Sequence, residues 1–212
     1  MDLRVAKFFH GYATDFDAIY GTGGGVVKAL VNRLFRKSMK LRFVKTLECC
    51  QPVQGKSVLD IGCGPGHYSV ALAKMGAESV LGIDFAEGML EIASRRAQLE
   101  GVSQICRFDR ADFFTHTFTH PFDYVVVMGF MDYVQEAEAA VRRILELTRG
   151  RAFLSFPAAV GFLARQRKLR YRNRCPLYFY TEPQIKELFP NVKGVDVLIQ
   201  PIHRDFFVTV SK

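Results

Sequence analysis

The sequence has no C-x-x-C pair, and its cysteines, Cys49, Cys50, Cys63, Cys106 and Cys175, are odd in number. Neither a disulfide framework nor a zinc site is indicated, and a reducing compartment fits best. No metal-ligand grouping is visible. His116 and His120 lack paired spacing and carboxylate company, so they read as polar loop residues. No stretch approaches the ~20 apolar residues of a membrane span. No long apolar run follows the first charges, so no signal peptide is expected, and the cytoplasm is the expected location. Internal repeats and low-complexity tracts are missing as well. What remains is 212 residues, 49% hydrophobic and 24% charged, which suits one globular domain with a real core.

The organising stretch is Ser57 to Gly66. Val58, Leu59 and Ile61 make a short apolar run, and Gly62, Gly64 and Gly66 then alternate. His67 to Met75 carries Val70, Leu72 and Ala73 at helical spacing. Strand, glycine turn and helix form the first unit of a doubly wound α/β fold, which binds nucleotide-like ligands beyond the carboxyl ends of its strands. Glycine takes positive φ without penalty and lets a ligand reach bare backbone. The turn is not the dinucleotide fingerprint G-x-G-x-x-G, because His67 stands at the third glycine position. It is not a phosphate loop either, having neither the lysine nor the hydroxyl residue. Glycines alone leave a ligand-free turn open, but Asp60 weighs against it. A carboxylate in an apolar strand is costly unless something pairs with it.

A second buried strand, Ser79 to Ile83, ends at Asp84, 18 residues beyond Gly66. An acid at this register can accept hydrogen bonds from both hydroxyls of a ribose. Bonds to a charged acceptor are worth ~1.5–3 kcal/mol each. A helix cap is the plainer role for Asp84. Further strands are expected at Ile105–Phe108, Phe122–Met128, Arg151–Phe156, Val195–Ile199 and Asp205–Val210, the last two as a hairpin-like pair. Gln135 to Thr148 reads as an amphipathic helix with Ala139, Ile144, Leu145 and Leu147 inward, and Thr181 starts another with a capping box. The expected fold is α/β, a doubly wound, mostly parallel seven-stranded sheet with helices on both faces.

Val58 to Gly66 resembles motif I of the class I S-adenosylmethionine (SAM) dependent methyltransferases, and the specific likeness runs on to Tyr133. The resemblance implies a Rossmann-like fold, SAM as cofactor and S-adenosylhomocysteine (SAH) as product. It implies that Asp60, with Gly62 and Gly64, holds the methionine part and that Asp84 holds the ribose. Phe85-Ala-Glu-Gly-Met89 resembles the segment after the second motif, with Ala86 where many members have serine; Phe85 and Met89 would pack on adenine or serve as core. Asp112 would meet the adenine amino group and Phe113 its ring, unless Asp112 simply belongs to a turn. Met128 ends the fourth strand beside the cofactor. Asp132 and Tyr133 are the polar groups best placed to meet the acceptor, with a helix cap or core ring as the plainer roles. The Asn-Pro-Pro-Tyr type motif of enzymes that methylate nucleobase or glutamine nitrogens is absent, so no DNA substrate is expected.

Around this unit, 1–50 is expected as a helical cap and 51–212 as the SAM-binding domain. Tyr12, in a run with Phe16 and Tyr20 on one helix face, would close over the cofactor or pack as core. Gly21 to Gly25 is a plausible hinge. Val26 to Cys50 reads as one long helix or two, with a basic side (Lys28, Arg33, Arg36, Lys37, Lys40, Arg42, Lys45) that is expected to be solvated. Contact with an anionic membrane surface or an acidic carrier is the alternative. A basic insert, 157–180, carries Arg165, Arg167, Lys168, Arg170, Arg172 and Arg174 among Tyr171, Tyr178 and Tyr180, and reads as a lid in which Arg170 and Arg172 select an acidic acceptor. Insert and N-terminal segment also resemble the magnesium-protoporphyrin carboxyl methyltransferases, although Tyr133 stands about where those enzymes have a histidine. The expected function is methyl transfer to oxygen or nitrogen of a small, acidic or carrier-linked molecule, with Tyr133 and Tyr12 as catalytic candidates. Net charge +8 keeps an RNA (tRNA or rRNA) methyltransferase open. A non-catalytic SAM-binding subunit of a complex is the third reading. No general base and no oligomeric state can be read.

Overall fold

The structure, a computed structural model, describes residues 26–159, 175–189 and 194–212. Tyr12, the Gly21 to Gly25 hinge, Arg170 and Arg172 lie outside the described residues. The elements run α1 (Val26–Cys49), β1 (Ser57–Ile61), α2 (His67–Lys74), β2 (Ser79–Asp84), α3 (Glu87–Leu99), β3 (Cys106–Arg110) and β4 (Phe122–Val127). A single 3₁₀ turn, Met131–Tyr133, follows. Then come α4 (Ala137–Leu147), β5 (Thr148–Pro157), α5 (Glu182–Leu188), β6 (Asp196–Ile202) and β7 (Asp205–Ser211).

The strands form one seven-stranded sheet in the order β3-β2-β1-β4-β5-β7-β6. β1 pairs in parallel with β2 on one side and with β4 on the other, so strand order reverses there and a crevice opens beyond its carboxyl end. β7 runs antiparallel between β5 and β6, and a two-residue turn at His203 and Arg204 closes the β6–β7 hairpin.

Side chains alternate across the sheet, and both faces are covered, which is why its central strands read as continuous apolar runs. Leu59, Ile61, Val125, Val127, Leu154 and Val208 join the face that packs on Ile144 of α4 and Ile185 of α5. Val58, Tyr124, Val126, Phe153 and Phe207 join the other face, with Val70 and Leu72 of α2, and Leu47 of α1 packs against it. The same alternation sends Asp60 to the α2 side, between Leu59 and Ile61, which face the other way.

The inward stripe of α4 is Ala137, Ala140, Val141, Ile144 and Leu145. Ala139 is exposed and Leu147 half-buried, which corrects the expected stripe: neither falls at the i, i+3, i+4, i+7, i+8 spacing of the buried face, and the helix itself starts two residues later than expected. β5 starts at Thr148, three residues earlier than its apolar run. Arg149 and Gly150 carry no apolar signal, and pairing beside a register shift in β4 extends the strand through them. α1 is one helix. Its basic residues are not uniformly solvated, because Arg42 is only 9% exposed. Thr181 and Gln184 form the expected capping box of α5.

Candidate functional site

The crevice is built on the glycine turn. Gly62 and Cys63 donate their backbone N–H groups to the Ile83 carbonyl, which ties the turn to the end of β2. Gly64 then donates its N–H to Asp84 Oδ2 at 3.0 Å. The other oxygen, Oδ1, accepts from Ala86 N at 2.9 Å and so serves the start of α3, where Ala86 provides no side-chain cap. Asp84 therefore joins turn, strand and helix. Burial raises its pKa, and the N–H bonds from Ala86 and Gly64 oppose that rise.

Gly64 and Gly66 both hold positive φ, 50° and 73°, but face different surroundings. Among the described residues nothing lies within 4 Å of where a Gly64 Cβ would stand. A Gly66 Cβ would stand 2.8 Å from Ala93 Cβ of α3 and 3.3 Å from Phe108 Cζ of β3. Gly66 thus lets α2 close on α3, the packing role that a third glycine fills in nucleotide turns. Gly64 leaves bare backbone beside Asp84. At Gly62 the corresponding space is filled, with Phe130 Cδ2 3.1 Å from the Cβ position.

Asp60 is 1% exposed, and its partner is a residue without any motif signature. Ser69, in the first turn of α2, donates its hydroxyl to Asp60 Oδ2 at 2.6 Å and its N–H at 3.2 Å. Burial pushes the Asp60 pKa up to about 7, against the pull of both Ser69 bonds. Cys63 lies in the same turn, and burial raises its thiol well above the ordinary range, which makes it a packing residue.

Phe85 is half-buried, whereas Met89 is 2% exposed, and both lie in a small cluster around Ala86. Asp112 closes its own turn, with Oδ1 accepting from Phe114 N at 2.9 Å. Phe113 is 3% exposed and packs edge-on to Phe130 at 5.6 Å, with the Arg143 guanidinium 5.5 Å from its ring centre. The ring is therefore part of the core that carries Phe130. Met128 is buried against the α2 side of the sheet.

Asp132 and Tyr133 lie in the 3₁₀ turn beyond β4. Asp132 is 3% exposed, and Tyr133 is half-buried. The Asp132 carbonyl accepts from Tyr178 N at 2.9 Å. Tyr180 sits beneath the turn, edge-on to Phe156 at 5.1 Å, and burial first, then the Asp132 charge, push its phenol up to about 12. Tyr180 is core and not part of an exposed lid surface. The two ends of the basic insert meet here: Ala159 N bonds Tyr180 O, and Tyr180 N bonds Pro157 O. Ser69, Phe130 and Arg42 are the residues near the site that motif reading did not single out. Only a hydroxyl one turn into α2 hinted at Ser69, and the other two depend on tertiary packing.

A seven-stranded sheet of this order, a glycine turn at its reversal point and an acid ending the next strand make a doubly wound α/β fold whose ligand side lies beyond the carboxyl end of β1. Residues 58–150 match the family model described as a methyltransferase domain. Among curated proteins, the ubiquinone biosynthesis O-methyltransferase of Neisseria meningitidis serogroup C is 38% identical over 106 residues, 49% of this chain and 44% of that protein. Its counterpart in Pseudomonas aeruginosa is 39% identical over 104 residues, 48% and 44% of the two chains. The chain spans about half the length of the curated relatives it matches. Among solved structures, magnesium protoporphyrin IX methyltransferase from Synechocystis PCC 6803 with bound SAH superimposes with a TM-score of 0.81 over 98% of each chain, at 20% identity. That likeness establishes the fold.

Proposed function

We propose that the chain transfers the methyl group of SAM to an oxygen of a small molecule. The observation that carries this reading is the Asp84–Gly64 bond beside the unfilled space at the Gly64 Cβ position. The residues fit the cofactor: a carboxylate at the end of β2 suits the ribose hydroxyls, bare backbone at Gly64 admits the methionine part, and the buried Asp60 carboxyl stands behind it, where a bound cationic group would favour its ionised form. Phe85, Met89, Asp112, Phe113 and Met128 are the proposed surroundings of the adenine and sulfonium ends. The O-methyltransferase names of the curated relatives support oxygen as the acceptor atom. Those relatives and the Synechocystis enzyme are named for small molecules, which supports a small-molecule acceptor over RNA.

When bound, SAM supplies an activated methyl whose leaving group departs neutral. What this chain must do is hold the acceptor oxygen in line and keep water out, and alignment alone can supply up to ~7–11 kcal/mol. Asp132 and Tyr133, on the turn beyond β4, are the proposed acceptor-side groups. Tyr12 is the proposed cover, and Arg170 and Arg172 are proposed to select an acidic acceptor. The five free thiols suit a cytoplasmic setting. Among the described residues no helix is long and apolar enough to cross a membrane.

Calorimetry with SAM, SAH and NAD tests the cofactor, and transfer of labelled methyl from SAM to a panel of phenols, carboxylic acids and amines tests the acceptor. SAM and SAH should bind and NAD should not. Tighter binding of NAD than of SAM overturns the reading. Methyl transfer to amines alone overturns the choice of oxygen.

A further inference from the structure

One basic residue of α1 turns inward, and it leads to the acceptor side of the site. Ser38 and Arg42 lie one turn apart on α1 and are 0% and 9% exposed. Both meet Asp205, the first residue of β7, itself 2% exposed. Ser38 Oγ donates to Asp205 Oδ2 at 2.7 Å, and Arg42 Nε stands 3.7 Å from the same oxygen. At the other end of the guanidinium, Arg42 Nη1 donates to Ser155 Oγ of β5 at 3.1 Å. Ser155 Oγ also accepts the N–H of Gly129 at 2.8 Å.

Gly129 opens the turn that follows β4. Its N–H is held by a side chain of the neighbouring strand, and Arg42 Nη1 lies 3.9 Å from the position its Cβ would take. The turn then carries Phe130 across Gly62 and ends in Asp132 and Tyr133. A buried ion pair is weak ground for stability, because desolvation opposes the attraction, and apolar side chains of similar volume often do as well. What the pair does here that apolar packing cannot is hand a directed donor to Ser155, which in turn orients the hydroxyl that receives Gly129.

We propose that Arg42 and Ser155 are positioning residues, which fix the Gly129–Tyr133 turn to the seating of α1 and so set where the acceptor oxygen is held. The functional part rests on the methyltransferase reading above; the coupling itself rests on the contacts. Removing either residue leaves the turn made but loosely placed. The acceptor is then misaligned, while the cofactor residues Asp84 and Gly64 are untouched.

The test uses the full chain. Ser155→Ala removes the acceptor of Gly129 and leaves the Arg42–Asp205 pair; Arg42→Met removes the pair; Arg42→Lys keeps the charge without the planar fork. In Ser155→Ala and Arg42→Met, amide exchange at 128–133 should quicken about tenfold, as expected for local opening without global loss. The kcat should fall about tenfold, with SAM affinity changed less than about twofold. The double variant should be no worse than the more severe single one, because both act through one chain of contacts. Arg42→Lys should recover part of the loss. Unchanged exchange in folded Ser155→Ala overturns the proposal, as does a fall in kcat matched by an equal fall in SAM affinity and by faster exchange throughout the sheet. If Arg42→Met does not fold, Ser155→Ala decides. Wild type that neither binds SAM nor transfers methyl refutes the methyltransferase reading instead. Exchange then still judges the coupling: quickening confined to 128–133 supports it, and no change overturns it.

Discussion

Two glycines two positions apart separate folding from ligand binding. Gly66→Ala places a methyl 2.8 Å from Ala93 Cβ, 3.2 Å from Ala93 Cα and 3.3 Å from Phe108 Cζ. The first two atoms belong to a packed helix and cannot swing away. Overpacking of this kind costs ~1–3 kcal/mol, and φ of 73° adds the left-handed penalty of ~1–2 kcal/mol. The loss should be about 2–5 kcal/mol, a large share of the ~5–15 kcal/mol of an ordinary domain. Gly64→Ala meets no described atom within 4 Å, so only the φ penalty applies, and about 1–2 kcal/mol should be lost. Its methyl, however, enters the space beside Asp84 that we assign to SAM. Urea denaturation gives the stabilities, and calorimetry gives the SAM affinities. Gly64→Ala should weaken SAM about tenfold or more, equivalent to ~1.4 kcal/mol or more, while remaining the more stable variant. Adding Ala93→Gly to Gly66→Ala should recover part of its loss despite the ~1 kcal/mol that glycine costs within a helix. If Gly64→Ala binds SAM as wild type does, the space beside Asp84 is not the cofactor site. If Gly66→Ala loses less than about 1 kcal/mol, the tight α2–α3 approach is not what the glycine serves.

Three further outcomes are expected. Asp84→Ala should weaken SAM about tenfold or more, as for a lost charged hydrogen bond, and unchanged affinity in the folded variant would remove Asp84 from the site. Burial lifts Asp60 from 3.8 to about 7, so between those values the folded chain holds a proton that the unfolded chain has released. The stability that neutral Asp60 contributes is therefore full below about pH 4 and is lost as pH rises to about 7; in urea titrations, Asp60→Asn should flatten that decline, and an unaltered slope would refute the assignment. Replacing Arg170 and Arg172 by Gln should raise KM for an acidic acceptor and flatten its salt dependence, with SAM affinity near wild type; an unchanged KM and salt dependence for the acidic acceptor would sink the proposal that these arginines select it.

What could be read before the structure follows from how far each signal reaches along the chain. Strand, glycine turn and helix at 57–74 are local, because period-two and period-3.6 patterns and the conformational demands of glycine act within a few residues. Asp84 is legible for a related reason: one crossover helix sets its distance from Gly66, and parallel pairing of β1 with β2 brings it to the turn. Asp60 is the intermediate case. Its burial follows from the apolar run around it, so the need for a partner is foreseeable. That the partner includes Ser69 depends on α2 packing over the face of β1 that Asp60 shares with Val58. Arg42 defeats sequence reading altogether. Seven basic residues between Lys28 and Lys45 look alike in the sequence, and the inward turn of Arg42 is decided by β5 and β7, which lie more than a hundred residues away and bring Ser155 and Asp205 together only through antiparallel pairing. Phe130 and Tyr180 fail in the same way, since an aromatic on a loop carries no mark of the surface it will meet. The half of the site we assign to the cofactor is built from neighbouring βα units and is written locally, whereas the half we assign to the acceptor is assembled from α1, the β4 turn and Tyr178 and Tyr180 just before α5. That is why a class of reaction could be proposed from the residues, and why the groups we propose as positioning the acceptor came to light only by tracing the contacts around Gly129.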